Sequence, residues 1–245
     1  MSDNAANAFV FADHLKLDDS PTRDFYRVLL QGLVHKNNNV FGVIQGFSSL
    51  ILMESQLDSG VKENVEQMKE SSISASDLAK TILTSAGCSR VKPEPTALGD
   101  FLPWIESNAR ELCDNHGVEL VFNGGTDLPK VSVDSTRINE LFGGLIKNAA
   151  EAAAGPPGGK VAIDLLEVST DENRVDLFIR NTTLKDFSPE ELLKLYEPFH
   201  TTKDASVHAG LGLTTAGILA GQMGMRLGLR SADNTMTAWL SMPTV

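Results

Sequence analysis

Between Thr22 and roughly Leu57, the apolar residues Leu29, Leu33, Val40, Ile44, Phe47 and Ile51 recur at spacings of three, four or seven. At about 100° of rotation per residue, such positions fall in one narrow stripe along a helix. Pro21, behind a polar stretch, marks the start of that helix with Ser20 or Asp19 near its cap, because proline is tolerated where the first amide has no intrahelical acceptor. Asp58, Ser59 and Gly60 interrupt the pattern, and a second run with Val61, Val65, Met68, Ile73, Leu78, Ile82 and Leu83 continues to about Ser89. The two runs predict an antiparallel helical hairpin. A pair of helices cannot bury all of its faces alone, so the stripe needs a partner, and the same hairpin of a second subunit supplies one in a four-helix bundle. The expectation is a homodimer formed through the hairpin.

After Val91, Lys92, Pro93, Glu94, Pro95 and Thr96, which read as a proline-bearing linker, the pattern changes. Helical stretches (Leu98 to His116, Ser135 to Ala154, Pro189 to Tyr196, Leu213 to Met223) alternate with strand-like ones (Val118 to Asn123, Lys160 to Glu167, Arg174 to Ile179, Arg226 to Arg230, Met236 to Met242). Turn signals at Asn123-Gly124-Gly125, Gly155 to Gly159 and Ala232-Asp233-Asn234 separate them. The fold class is therefore α+β: a flexible leader over 1–20, the helical hairpin over 21–92, and an α/β sandwich over 97–245. Whether Phe9, Val10 and Phe11 dock on that sandwich is left open by the sequence.

Apolar residues at 42% and a net charge of -11 exclude a wholly disordered chain and argue against a surface built to hold nucleic acid. Cys88 and Cys113 form no CxxC pair, which points to free thiols in a reducing compartment. The N-terminus lacks a basic segment followed by an apolar one, and the most apolar run, Phe41 to Met53, contains Gln45, Ser48 and Ser49 and is too short to span a bilayer. A cytoplasmic location without membrane insertion is expected, with any outside signal received by a separate sensor protein.

On the first helix, His35 projects away from the apolar stripe, with Asn38, Asn39, Gly42 and Gly46 on the same broad side. A solvent-facing neutral imidazole among small residues is a nucleophile open to a bulky partner. The segment His35-Lys36-Asn37-Asn38-Asn39-Val40-Phe41 resembles the H-box of bacterial histidine kinases. The resemblance implies that His35 accepts the phosphoryl group and that Asn39, one turn on, orients water when phosphate is removed from a partner. Lys36 departs from the pattern: the family has Asp or Glu there to take the imidazole proton, which a protonated lysine cannot do.

The second module carries the same resemblance independently. Lys147-Asn148-Ala149-Ala150-Glu151-Ala152 resembles the N-box of the ATPase fold shared by histidine kinases, gyrase, Hsp90 and MutL, which implies that Asn148 ligates Mg²⁺ through its amide oxygen. Tyr196 to Lys203 resembles the F-box, and Ala209-Gly210-Leu211-Gly212-Leu213 the second glycine box. Glycines at a helix entry let backbone N–H groups approach phosphate, and Thr202 and Lys203 would add a hydroxyl and a cation. Asp204 to His208 then reads as a very short ATP lid. At the place of the family's first glycine box, near Phe178 to Thr183, both glycines are missing, and Asn181 stands for the usual adenine-binding Asp.

The resemblance spans about Thr22 to Val245 and implies a two-component histidine kinase. ATP and Mg²⁺ would be held by Asn148, Asn181, Thr202, Lys203, Gly210, Leu211, Gly212 and Leu213. The γ-phosphoryl would pass to His35 and on to an aspartate of a response-regulator receiver domain. The alternative is a phosphotransfer protein, phosphatase or scaffold without autokinase activity that docks a response regulator, favoured by Lys36 and the missing glycines. A water-activating ATPase clamp does not fit, because Gly144 replaces the glutamate it would need.

Overall fold

A computed structural model describes residues 9–15, 20–54, 56–125, 128–167, 173–205 and 208–245. The chain divides into two compact units, one formed by Asp18–Ser89 and the other by Met1–Leu17 together with Arg90–Val245.

The smaller unit is a hairpin of α1 (Pro21–Leu52) and α2 (Ser59–Ser85). Ser20 caps α1 by accepting a hydrogen bond from the Arg23 amide at 3.2 Å, with Pro21 in the first turn. Asp58 caps α2 through the Gly60 amide at 2.9 Å. The helices meet along a line through Val34, Phe41 and Ser48, positions seven apart, against Val65, Ser72 and Ala79 of α2. Ser72 Oγ donates to the Phe41 carbonyl at 2.9 Å and Ser76 Oγ to Asn38 Oδ1 at 3.1 Å. Asn38 thus faces α2 rather than the open side shared with His35, a correction to the sequence reading that follows from its 60° offset from His35 toward the packed line. The predicted stripe is a different face. Leu33 is 53% exposed and Phe47 63%, and Leu29, Val40 and Ile51 are exposed as well.

In the larger unit, six strands are ordered β1-β7-β8-β6-β5-β3. They are β1 (Val10–Phe11), β3 (Glu119–Asn123), β5 (Lys160–Glu167), β6 (Arg174–Thr182), β7 (Arg226–Ala232) and β8 (Thr235–Pro243). All neighbours are antiparallel except β3 and β5. Asp233 and Asn234 both have φ of 53°, the geometry of a tight two-residue hairpin turn, and join β7 to β8. A two-stranded ribbon of β2 (Glu94–Ala97) and β4 (Lys130–Val133) forms a second sheet, bridged through Val131 to Thr244 just past the end of β8, so the proline-bearing stretch belongs to the unit instead of linking to it.

Helices α3 (Leu102–His116), α4 (Ser135–Ala153) and α6 (Gly212–Gln222) belong to this unit, as does the short α5 (Pro189–Lys194). Alternation along β6 buries Val175, Leu177 and Ile179 with Ile138, Phe142, Leu145 and Ile146 of α4 and with Leu219 of α6. Asp134 caps α4 by accepting from the Thr136 and Arg137 amides. Burial acts to raise its pKa, but the backbone hydrogen bonds from Lys92, Arg137 and Thr136 outweigh it and hold the carboxyl below its usual range.

The other register of the strands carries Phe178, Trp239, Arg226 and Arg230. Part of the stretch expected to be a flexible leader is ordered here: β1 pairs with β7, Val10 opposite Leu229. Phe9 and Phe11 lie 5.2 and 5.5 Å from the Trp239 ring, and Arg226 stands 4.3 Å over Phe11. The backbone is notched to receive this segment. A Cβ on Gly228 would meet Phe11 at 3.1 Å, and one on Gly217 would meet Leu15 at 2.8 Å.

Candidate functional site

In the hairpin, His35 is exposed on α1 with Asn39 one turn further on and also exposed. A Cβ on Gly32, Gly42 or Gly46 would meet nothing within 4 Å, so the helix surface around the imidazole is low and unobstructed. Lys36 is exposed beside it.

In the larger unit, a polar cluster forms where the C-terminal part of α4 meets the segment before α6. Asn148 and Glu151 stand three residues apart on α4, on neighbouring positions of one face. Lys203 Nζ donates to Asn148 Oδ1 at 3.4 Å and forms an ion pair with Glu151 Oε2. His208 Nδ1 lies 3.8 Å from the same carboxylate oxygen, and Lys147 Nζ lies 3.9 Å from the other. The Lys203 amide is itself held by Thr201 Oγ1 at 3.1 Å. Thr202 is exposed next to it.

The start of α6 closes on this cluster. Gly210 has φ of +66°, and a Cβ there would lie 2.6 Å from the Phe199 carbonyl carbon and 2.7 Å from the His200 oxygen. Only glycine makes that turn and that approach without strain. A Cβ on Gly212 would stand 3.1 Å from Asn148 Nδ2, so the first turn of α6 lies directly against the Asn148 amide. Leu211 is buried and Leu213 half-buried, which leaves their backbone amides as the groups able to face a ligand. The framework behind the turn is tied together: Thr214 Oγ1 donates to the Tyr196 carbonyl at 2.8 Å, and the buried Tyr196 hydroxyl donates to the Val10 and Leu227 carbonyls at 3.3 and 3.4 Å. Burial, and then the Asp13 charge, pushes the Tyr196 phenol far up, so it stays a neutral donor. Phe199, exposed at the loop, has φ of 64°, an uncommon backbone state for a bulky residue.

Asn181 lies on β6, buried within the strand that α4 covers, and its Nδ2 donates to the Thr182 carbonyl at 3.0 Å. Next to it, Thr183 Oγ1 is buried without a hydrogen-bond partner among the described residues. Arg180 pairs with Asp164 and stacks on Phe178, away from this end of the helix layer. The structure thus brings Asn148, Lys203, Gly210 and Gly212 together and sets Asn181 on the strand beneath α4. His35 and Asn39 belong to the other unit. Residues 206 and 207, within the stretch read as a lid, lie outside the described residues.

The residue roles that sequence reasoning missed are those of Glu151, His208 and Tyr196. Glu151 sits inside the quoted motif, and its spacing of three from Asn148 was the available signal.

A hard cation and a phosphate chain fit these residues: an amide oxygen, an ammonium group and glycines at a helix entry meet their chemistry. Fold and site together define an α/β sandwich with a polar, glycine-bearing corner at the entry of α6, in a chain that also carries a helical hairpin.

Residues 133–244 match the family described as histidine kinase-, DNA gyrase B- and HSP90-like ATPase. The chain is 27% identical over 205 residues to the C4-dicarboxylate transport sensor protein DctB of Pseudomonas aeruginosa, covering 79% of this chain and 31% of that protein. It is 25% identical over 198 residues to the sensor kinase CckA of Brucella abortus, covering 76% of this chain and 20% of that one. Full-length ShkA, solved in complex with AMPPNP, superposes with a TM-score of 0.75 at 19% identity, covering 89% of this chain and 46% of ShkA. The histidine kinase AdeS of Acinetobacter baumannii superposes with a TM-score of 0.56 at 16% identity, covering 83% of this chain and 94% of that one. The chain therefore spans less than a third of the length of the two curated relatives. Over residues 133–244 the chain is thus similar to the histidine kinase-, DNA gyrase B- and HSP90-like ATPase family, and the curated relatives it resembles are named a sensor protein and a sensor kinase. No helix among the described residues is long and apolar enough to cross a membrane.

Proposed function

We propose that the chain is an ATP-dependent protein histidine kinase with His35 as its phosphoacceptor. The observation that carries this reading is the convergence of Asn148, Lys203 and the glycine-bearing start of α6 on one corner of the ATPase fold. Asn148 Oδ1 would hold Mg²⁺, which would supply positive charge to offset that developing on the phosphates. The backbone amides from Gly210 to Leu213 point the positive end of α6 at the phosphates. Lys203 balances the γ-phosphate, and Asn181 offers its side-chain oxygen to the adenine amino group. The unprotonated Nε2 of His35 attacks the γ-phosphorus; the new N–P bond forms as the bond to the bridging β–γ oxygen breaks, and ADP leaves. The phosphoryl group then passes to an aspartate carboxylate of a response-regulator receiver domain, while in a separate hydrolysis Asn39 orients the water that attacks the aspartyl phosphate and releases inorganic phosphate.

Support for a dimer comes from the exposed stripe of α1, and the family in general implies both dimerisation and a response-regulator partner. Two observations favour a second reading, a phosphorelay or phosphatase without autokinase activity: Lys36 stands where a proton acceptor would serve His35, and Thr183 crowds the position of a glycine.

Incubation with γ-labelled ATP and Mg²⁺, beside a His35→Ala variant, separates the two. The kinase reading expects acid-labile, base-stable label that the variant lacks. Absence of label on folded protein, together with acceptance of phosphate from a phosphorylated receiver domain, selects the relay.

A further inference from the structure

Glu151 has no part in the scheme above, yet it organises the site. Its side chain is 12% exposed, that of Lys203 27%, so their ion pair is better shielded than an ordinary surface pair. The pair fixes the lysine where its ammonium also reaches Asn148 Oδ1 at 3.4 Å, the oxygen that a cation would use. His208 Nδ1 at 3.8 Å and Lys147 Nζ at 3.9 Å stand around the same carboxylate. A triphosphate entering this corner meets a carboxylate of like sign and a lysine already engaged, and Mg²⁺ meets an amide oxygen already in contact with an ammonium.

We propose that Glu151 is a positioning residue that sets the affinity of this site for a metal-bound nucleoside triphosphate, by latching Lys203 onto α4 until the phosphates draw it away. The proposal rests on the nucleotide-binding reading of the site. Binding exchanges the Lys203–Glu151 pair for a Lys203–phosphate pair and frees Asn148 Oδ1 for the metal. No bond is made or broken. Exchanging one pair for the other lowers the net gain from each phosphate contact, so the wild-type site binds more weakly than the same site without the latch.

The test compares full-length wild type with Glu151→Gln and Glu151→Asp, each checked for fold by circular dichroism. Two quantities are measured: the acylation rate of the Lys203 amine by an N-hydroxysuccinimide ester, read by peptide mass spectrometry, and Mg-ATP affinity by titration calorimetry. Both variants are expected to raise Lys203 acylation and Mg-ATP affinity, Glu151→Gln by about threefold to tenfold in affinity, equivalent to about 0.7–1.4 kcal/mol. Glu151→Asp keeps the charge and shortens the reach, so a gain with Gln alone means simple charge removal and overturns the latch. Unchanged acylation in both variants also overturns it. Faster acylation with no ATP binding by any of the three proteins overturns the nucleotide reading instead, and the latch's role with it.

Discussion

At the scale of single residues, the phosphate corner depends on backbone shape more than on charge. Gly210 combines a left-handed backbone with a contact that leaves no room for a Cβ beside Phe199 and His200. Gly210→Ala is expected to lower stability by about 1–3 kcal/mol and to remove nucleotide binding, because the loop must shift to admit the methyl group. Thermal unfolding followed by titration with Mg-ATP checks both parts; an unchanged melting temperature would show that the loop absorbs the methyl group freely. The glycines and Asn148 were legible from sequence because they are fixed by spacing along the chain. The Lys203–Glu151 contact was not, since it joins residues more than fifty positions apart and depends on how the segment after Phe199 turns back onto α4. Asn38 illustrates the opposite error. Its placement beside His35 came from a wheel centred on the apolar stripe, whereas α2 packs on a neighbouring face of α1.

At the scale of elements, the longer helices and the five longer strands could be read from periodicity, with the end of α1 displaced to Leu52 and β6 extended to Thr182. Three short strands could not. Two-residue β1 has no period to detect, and β2 contains Pro95, which usually argues against a strand and is admitted here because the ribbon has only two members. The first of these is anchored chiefly by side chains: Phe9 and Phe11 pack on Trp239, and Arg226 and Arg230 cover their rings. Phe11→Ala is expected to cost about 1–2 kcal/mol, and the loss should be seen in the unfolding of the larger unit. Denaturant titration of the variant measures it, with a matched change at the distant exposed Val245 as the neutral reference. Because Tyr196 bonds both the Val10 carbonyl and the β7 strand, and its own carbonyl accepts from Thr214 of α6, this docking is mechanically continuous with the phosphate corner.

At the scale of the whole molecule, the exposed stripe on α1 is the surface we propose for dimerisation. A single hairpin leaves Leu29, Leu33, Val40 and Phe47 in water, an arrangement that a self-complementary partner relieves. Leu33→Glu combined with Phe47→Glu is expected to shift the chain from dimer to monomer in light scattering at micromolar concentration. An unchanged mass would assign the stripe to some other partner. The sequence already contained this face, because a stripe that α2 does not use keeps its own period.

Pairing of Val10 with Leu229 joins a strand near the beginning of the chain to one near its end. On a ribosome, β1 emerges long before β7, so its aromatic pair waits without a platform while the hairpin that follows it is already complete. That edge therefore cannot close before β7 has emerged, and its aromatic platform is incomplete until Trp239 of β8 follows. A chain interrupted before β7 therefore leaves Phe9 and Phe11 without the strand they pair beside and without the ring they pack on.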